Sequence, residues 1–265
     1  MTRTLNGRRV LITGASRGIG RALAQRLARE GSRLVLAARS EQLLRDLERS
    51  LGRPAGEVLV VTADITQQSN QIRLIEQAVA HFGGLDVLVN NAGVASWGHF
   101  AESTEAILRQ VMEVNFFAPA ELIRLAIPVL VKGEQPAIVN IASMCGRRAM
   151  PAWTEYSASK YALCGLTEAL RGELARFGID ILLIVPGLTA SEFSEHFLRS
   201  DGRAQIDFGA GMAPETLARR VVHSLKKNRT ESIIGRDARW ILLVNKFFPW
   251  LVDYLLARKV QKLYA

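Results

Sequence analysis

The chain has 265 residues, of which 49% are hydrophobic and 22% charged, with a formal net charge of +9. That length suits one α/β domain, and the apolar share can build a sizeable core, which excludes a disordered or fibrous chain. Two cysteines, Cys145 and Cys164, exclude a disulfide scaffold and a structural zinc site. Residues 1–10 show no apolar h-region, so no signal peptide is expected and a cytoplasmic, reducing setting is.

In chain order, short apolar runs alternate with helical patterns. Strands are predicted at Val10–Thr13, Leu34–Ala37, Val58–Thr62, Val87–Asn90, Ala137–Ile141, Ile181–Val185 and Ser232–Ile234. Most are continuous apolar runs, the mark of strands buried on both faces. Helices are predicted at Ile19–Glu30, Glu41–Leu51 behind a Ser40 cap, Asn70–Phe82 closed by Gly83, Thr104–Val131, Ala152–Phe177 closed by Gly178, and Pro214–Lys227. This alternation implies right-handed crossovers and one doubly wound parallel α/β sheet of about seven strands, with helices on both faces. No linker divides the chain, so residues 1–265 read as one domain with two additions, a segment at 188–213 and an extension at 236–265.

The charge is unevenly spread. Residues 1–53 hold 12 basic and 4 acidic side chains, residues 54–198 hold 9 and 15, and residues 199–265 hold 13 and 6. The N-terminal arginines follow an amphipathic pattern and accompany no zinc-finger, RNA-binding or helix-turn-helix motif, so no nucleic-acid partner is expected. The four histidines have no metal-ligand spacing, and no metal is expected.

Thr13-Gly14-Ala15-Ser16-Arg17-Gly18-Ile19-Gly20 joins the first strand to the first helix. Glycines there permit a tight turn, and the free N–H groups at a helix start bind phosphate, so the segment reads as a dinucleotide cradle. The second strand ends Ala37-Ala38-Arg39, without the carboxylate that would hold a ribose 2′-hydroxyl. Arg39 and Arg17 offer guanidinium groups for a 2′-phosphate, which favours NADP(H) over NAD(H).

Tyr156 and Lys160 lie one helical turn apart on one face. A phenol titrates near ~10, too high for efficient proton transfer at neutral pH, and a neighbouring ammonium is expected to lower it. Ser143, just past the Ala137–Ile141 strand, can reach the same cleft.

With these motifs the chain resembles the short-chain dehydrogenase/reductase family over about residues 5–235. TGASRGIG matches the family's TGxxxGxG, Asn90-Asn91-Ala92-Gly93 its NNAG, and Pro186-Gly187 its PG motif, while Asn115, Ser143, Tyr156 and Lys160 fall on its catalytic tetrad. The resemblance implies that Tyr156 is the general acid/base, and that Lys160 tunes it and holds the nicotinamide ribose. Ser143 would hold the substrate oxygen, and Asn115 would position a water leading from Lys160. It further implies cofactor contacts at Gly14, Ser16, Arg17, Gly18, Ile19, Gly20 and Arg39, at Asp64 and Ile65 beside the adenine, at Asn91, Ala92 and Gly93, and at Pro186, Gly187 and Thr189 near the carboxamide. Ser191 stands where the family often has threonine, and His196 lies in the segment that would cover the substrate.

The extension departs from the family's short glycine-rich terminus. Trp240–Ala257 is 18 residues long, near the ~17–25 that span a bilayer. Lys246 and Asp253 interrupt it at about 2.5–3.5 kcal/mol each on insertion scales, and Pro249 would kink it. A peripheral membrane contact through 239–262 and a contact with the second subunit of a homodimer are both expected readings.

The leading functional reading is an NADP(H)-dependent oxidoreductase that interconverts a carbonyl and a secondary alcohol on a small lipophilic ketone or alcohol, steroid-, retinoid- or lipid-like. The alternatives are a 3-oxoacyl thioester reductase, whose basic surface would dock an acidic carrier protein, and a non-catalytic NADP(H) sensor.

Overall fold

The computed structural model describes residues 2–54, 56–203 and 207–264. Seven strands form one parallel sheet: β1 (Arg9–Thr13), β2 (Arg33–Ala38), β3 (Val58–Thr62), β4 (Val87–Asn90), β6 (Ala137–Ile141), β7 (Asp180–Pro186) and β9 (Glu231–Ile234), in the order β3-β2-β1-β4-β6-β7-β9. Each predicted strand is present with ends within one residue. Two more short strands, β5 (Ser96–Trp97) and β8 (Arg199–Ser200), pair with each other outside this sheet.

Strand side chains alternate faces, and each face is covered by helices. Val10, Ile12, Leu34, Leu36, Val139 and Ile184 pack under α1 (Gly18–Arg29), α2 (Glu41–Leu51) and α7 (Pro214–Lys226). Leu11, Val35, Leu88, Ile138 and Ile181 pack under α3 (Gln68–Phe82), α5 (Ala118–Leu130) and α6 (Thr154–Leu174). The strand order reverses beside β1, so the first crossovers run to opposite sides and leave a crevice at the carboxyl ends of β1 and β4. The amino ends are tied by Asp86, which accepts from Arg9 through its main-chain N at 2.9 Å and its Nη2 at 2.6 Å, and from the Glu134 N–H at 2.7 Å.

One sequence expectation is corrected. Thr104–Val131 is not one helix: α4 (Glu105–Met112) runs into a wide π turn at Glu113–Phe117 before α5. Pro119 has no N–H to return to the Asn115 carbonyl, so the α-helical ladder fails there, and the Ala118 N–H reaches back five residues to Glu113 instead. The extension kinks at Pro249 as its sequence predicts, giving two helices, α8 (Arg236–Phe247) and α9 (Pro249–Tyr264), bent by 119°. Residues 204–206 of the covering segment and Ala265 of the extension lie outside the described residues.

Gly20 is where the β1–α1 junction is tightest. A Cβ there would collide with the Gly14 carbonyl oxygen and the Asn91 side chain. Gly20→Ala is therefore expected to lose about 1–3 kcal/mol of stability, as overpacked sites do, measured by urea unfolding.

Candidate functional site

A cavity of about 1390 Å³ opens along the carboxyl edge of the sheet. At one end lies the glycine turn. Gly14 has φ +63°, and a Cβ on it would stand 2.8 Å from the Ala92 Cα, so only glycine lets the two segments meet. Asn91 clamps the turn: its Nδ2 donates to the carbonyls of Thr13 at 2.9 Å and Gly14 at 3.2 Å, and its N–H donates to the Thr13 hydroxyl at 3.0 Å. No side chain caps α1, and its first turn has no acid. Uncapped N–H groups at the helix start, beside a turn whose glycines Gly14 and Gly18 carry no side chain, form a cradle that fits a dinucleotide pyrophosphate.

Of the residues named for cofactor contact, Gly14, Ser16, Arg17, Gly18, Ile19, Arg39, Asp64, Ile65, Asn91, Ala92, Gly93, Tyr156, Lys160, Pro186, Gly187 and Thr189 all line the cavity. Gly20 does not; it is buried behind the turn and serves packing alone. Arg39 sits on the rim with no ion-pair partner among the described residues, whereas Arg17 is engaged by Glu192 at 3.3 Å and by His196. Asp64 is turned to its own loop, accepting from the Thr66 N–H at 3.0 Å and hydroxyl at 2.8 Å.

At the other end, α6 brings Tyr156 and Lys160 against the end of β6. Tyr156 is 8% exposed and Lys160 4% exposed, yet both reach the cavity. The Lys160 Nζ donates to the Ile141 carbonyl at 3.0 Å and stands 5.7 Å from the Tyr156 ring centre. Ser143 caps the following turn by accepting from the Cys145 N–H at 3.1 Å, and its hydroxyl also hydrogen-bonds Tyr156.

Burial controls the ionisation of both groups. It pushes the Tyr156 phenol above its ordinary value; Cys145 adds to the rise, and the Ser143 hydrogen bond offsets part of it. Burial likewise draws the Lys160 ammonium down from 10.5 to about 8. The sequence expectation that Lys160 lowers Tyr156 is thereby corrected. Removal from water favours the neutral form of each, and the protonated phenol is the resting state.

Asn115 does not line the cavity. It is 1% exposed, on the π turn, and braces the walls. Its Oδ1 accepts from the Val94 N–H at 2.9 Å, while its Nδ2 donates to the Val94 carbonyl at 2.8 Å and the Ser159 hydroxyl at 2.9 Å. Ser159 in turn donates to the Tyr156 carbonyl at 2.8 Å. One amide thus joins the segment after β4 to the helix of Tyr156 and Lys160.

Sequence reasoning missed three parts of the site. Trp153, at the start of α6, is the hub of an aromatic roof, with ring centres 5.7 Å from Tyr156, 5.3 Å from Phe197 and 6.3 Å from Phe208; Phe193 lies 6.0 Å from Tyr156. Its signal was an aromatic residue one turn before the tyrosine. The roof is pinned by the β5–β8 pairing, in which Ser96 faces Arg199 and Trp97 faces Ser200. Asp237, in the first turn of α8, also lines the cavity and accepts from the Leu188 N–H at 2.9 Å. Nothing in its local sequence marks it.

The family model for short chain dehydrogenases matches residues 8–201. The chain is 33% identical over 257 residues to the ketoacyl reductase HetN of a Nostoc species, covering 94% of this chain and 88% of that one. It is 34% identical over 250 residues to the mouse dehydrogenase/reductase SDR family member 7B, covering 93% and 76%. Among solved structures, a Burkholderia phymatum short-chain dehydrogenase/reductase in complex with NAD superposes with a TM-score of 0.85 at 26% identity over 94% of this chain and 96% of that one. A Burkholderia cenocepacia short chain dehydrogenase in complex with NADP gives 0.81 at 25% identity over 96% and 99%.

The burial of Lys160 predicts a pH signature. Its folded value of about 8 lies below its ordinary 10.5, so between these the unfolded chain binds more protons and the fold gains stability as pH rises. The melting temperature of the parent protein is expected to gain on that of Lys160→Met across this window, read by calorimetry. A gap that stays constant with pH would mean the ammonium is solvated.

Proposed function

The chain belongs to the short-chain dehydrogenase/reductase family of NAD(P)-dependent oxidoreductases, and from that premise we propose that it interconverts a carbonyl and a secondary alcohol on a lipophilic substrate with NADP(H). The observation that carries this reading is the floor of the cavity: the Tyr156 and Ser143 hydroxyls and the Lys160 ammonium converge there beneath a roof of Trp153, Phe193, Phe197 and Phe208.

When bound, the nicotinamide cofactor exchanges a hydride with the substrate carbon. The residues that would hold it run from one end of the cavity to the other. The N–H groups from Ser16 to Ile19 would take the pyrophosphate, and Arg39 the 2′-phosphate. Asp64 and Ile65 flank the adenine, and Asn91, Ala92 and Gly93 form the wall along the adenosine half. Lys160 takes the nicotinamide ribose, and Pro186, Gly187 and Thr189 border the carboxamide. Arg39 carries the preference for NADP(H), because it is the cavity-rim cation left without a carboxylate, while Arg17 is held by Glu192.

In the direction of reduction, Tyr156 donates its proton to the substrate oxygen as charge develops there, and Ser143 donates a hydrogen bond to the same oxygen. A phenol kept protonated by burial suits the donor role. The aromatic roof excludes water and accepts apolar substrate surface.

A second reading is a 3-oxoacyl thioester reductase, favoured by the ketoacyl reductase among its relatives. Reduction of acetoacetyl thioesters with no turnover of bulky ketones, followed by NADPH absorbance, would select it over the first.

Tyr156→Phe is expected to lose about 10²–10⁴ in turnover with NADPH affinity unchanged; full turnover would refute the assigned donor. Arg39→Asp should weaken NADPH binding about tenfold to a hundredfold while sparing NADH, read by fluorescence titration of each. An unchanged preference would remove Arg39 from that role.

A further inference from the structure

The outer face of the C-terminal elbow has no place in the chemistry above. On α8, Arg236, Trp240, Leu243 and Phe247 recur at i, i+4, i+7 and i+11, which is one helical face, and all are exposed. On α9, Trp250, Tyr254 and Arg258 recur at i, i+4 and i+8, again all exposed. Trp240 and Trp250 are each 67% exposed and Phe247 is 62% exposed, with Phe248 beside them at the bend. A soluble surface rarely shows this much aromatic area in one place unless something covers it.

The charges say what that is. Residues 236–264 hold six basic side chains and two acidic ones. Both acids, though exposed, are engaged: Asp237 accepts from the Leu188 N–H at 2.9 Å, and Asp253 pairs with Arg148, which also donates to the Asn245 Oδ1 at 3.1 Å. Arg258, Lys259 and Lys262, by contrast, have no carboxylate partner among the described residues. Aromatic side chains grouped at the bend, with cations on the flanks, match the layering of a bilayer interface, where rings sit at the headgroup level and ammonium and guanidinium groups meet phosphates. A second copy of the chain would bring the same cations against these cations.

We propose that α8 and α9 form a docking surface for a lipid bilayer with anionic headgroups. The elbow lies in the bilayer interface: among the described residues no single helix is long and apolar enough to span, and the pair that suffices together by length and composition is broken by a 119° bend at Pro249. The inward contacts hold this surface in place beside the site. Asp237 fixes the turn after Gly187, and Arg148 belongs to the loop that follows Ser143, so a docked elbow sets the cavity mouth next to the lipid.

The test is co-sedimentation of the full chain with sucrose-loaded vesicles of phosphatidylcholine alone and of phosphatidylcholine mixed with phosphatidylglycerol. Pelleting is expected with the mixed vesicles and is expected to fall as salt is raised. The triple change Trp240→Ser, Phe247→Ser and Trp250→Ser should abolish it while NADPH binding and the melting temperature are retained. The second variant, Arg258→Glu, Lys259→Glu and Lys262→Glu, alters exposed, unpaired side chains and decides the matter if the first fails to fold. It should weaken partitioning by more than tenfold, at about fivefold per cation removed. Failure of the parent chain to pellet with mixed vesicles, or equal pelleting of parent and variants, overturns the proposal. So does a dimer by light scattering that dissociates in the aromatic variant without any vesicle binding, which would give the surface to a second copy. None of these readouts depends on turnover, so they stand apart from the fate of the proposed reaction.

Discussion

Lys160 carries its ammonium into a position 4% exposed to water, where one backbone acceptor, the Ile141 carbonyl, meets it at 3.0 Å. Burying a charge with so little compensation is costly, and the fall of its pKa to about 8 measures that cost. The surrounding structure must therefore hold the group rigidly against its tendency to reach solvent. Gly93 leaves room for the neighbouring brace, since a Cβ there would stand 3.1 Å from the Asn115 Oδ1. Gly146 lets the turn after Ser143 settle on α6, where a Cβ would sit 2.7 Å from the Lys160 carbonyl oxygen. Strand β6 supplies the acceptor, and its neighbours on both sides fix its height.

The brace that makes this possible is a chain of amides and hydroxyls. Asn115 joins Val94 to Ser159, and Ser159 joins the Tyr156 carbonyl. A parallel chain lies one layer deeper. Asn90 donates to Asn140 at 2.9 Å, and Asn140 donates to the Thr167 hydroxyl at 2.8 Å, crossing from β4 through β6 into α6. Such buried networks specify one arrangement, because any slip leaves a polar group unpaired. The π turn at Glu113–Phe117 belongs to the same device. Pro119 breaks the helical ladder where Asn115 faces inward, so the local irregularity and the brace coincide.

The strands and the α1–α3 helices were legible because each obeys a local rule: apolar runs for strands buried on both faces, and caps at helix ends. The cofactor-cradle glycines and the Tyr156–Lys160 spacing were legible because their chemistry demands fixed separations along one element. The π turn was masked by apolar residues that keep a helical rhythm through Val111, Val114 and Ala118, although Pro119, in the middle of the predicted Thr104–Val131 helix, was its local signal. The bracing role of Asn115 was hidden too, because it depends on Val94 and Ser159, which reach it only through the tertiary fold. Asp237 and the aromatic roof share that cause. Phe193, Phe197 and Phe208 belong to an irregular segment, which the β5–β8 pairing and the Thr189–Met212 bridge hold over Trp153.

The net charge of +9 resolves in three dimensions in a way that segment totals only hint at. The basic N-terminal stretch meets the acidic middle of the chain. Arg3 pairs with Asp180, Arg8 with Glu134, Arg9 with Asp86, Arg17 with Glu192 and Arg53 with Glu57. Others close on their own helices, as Arg45 does with Glu41 and Glu48. The exposed ones among these, such as Arg17–Glu192 and Arg45–Glu41, add little stability. On residues 199–265, Lys226 is matched by Glu30 and Arg199 by Asp201, while Arg258, Lys259 and Lys262 of α9 have no carboxylate partner among the described residues. At the start of the chain Arg39 is likewise unpaired among the described residues, on the rim of the cavity. The glycine turn offers phosphate its own N–H groups, so that end of the cavity does not depend on the bulk charge.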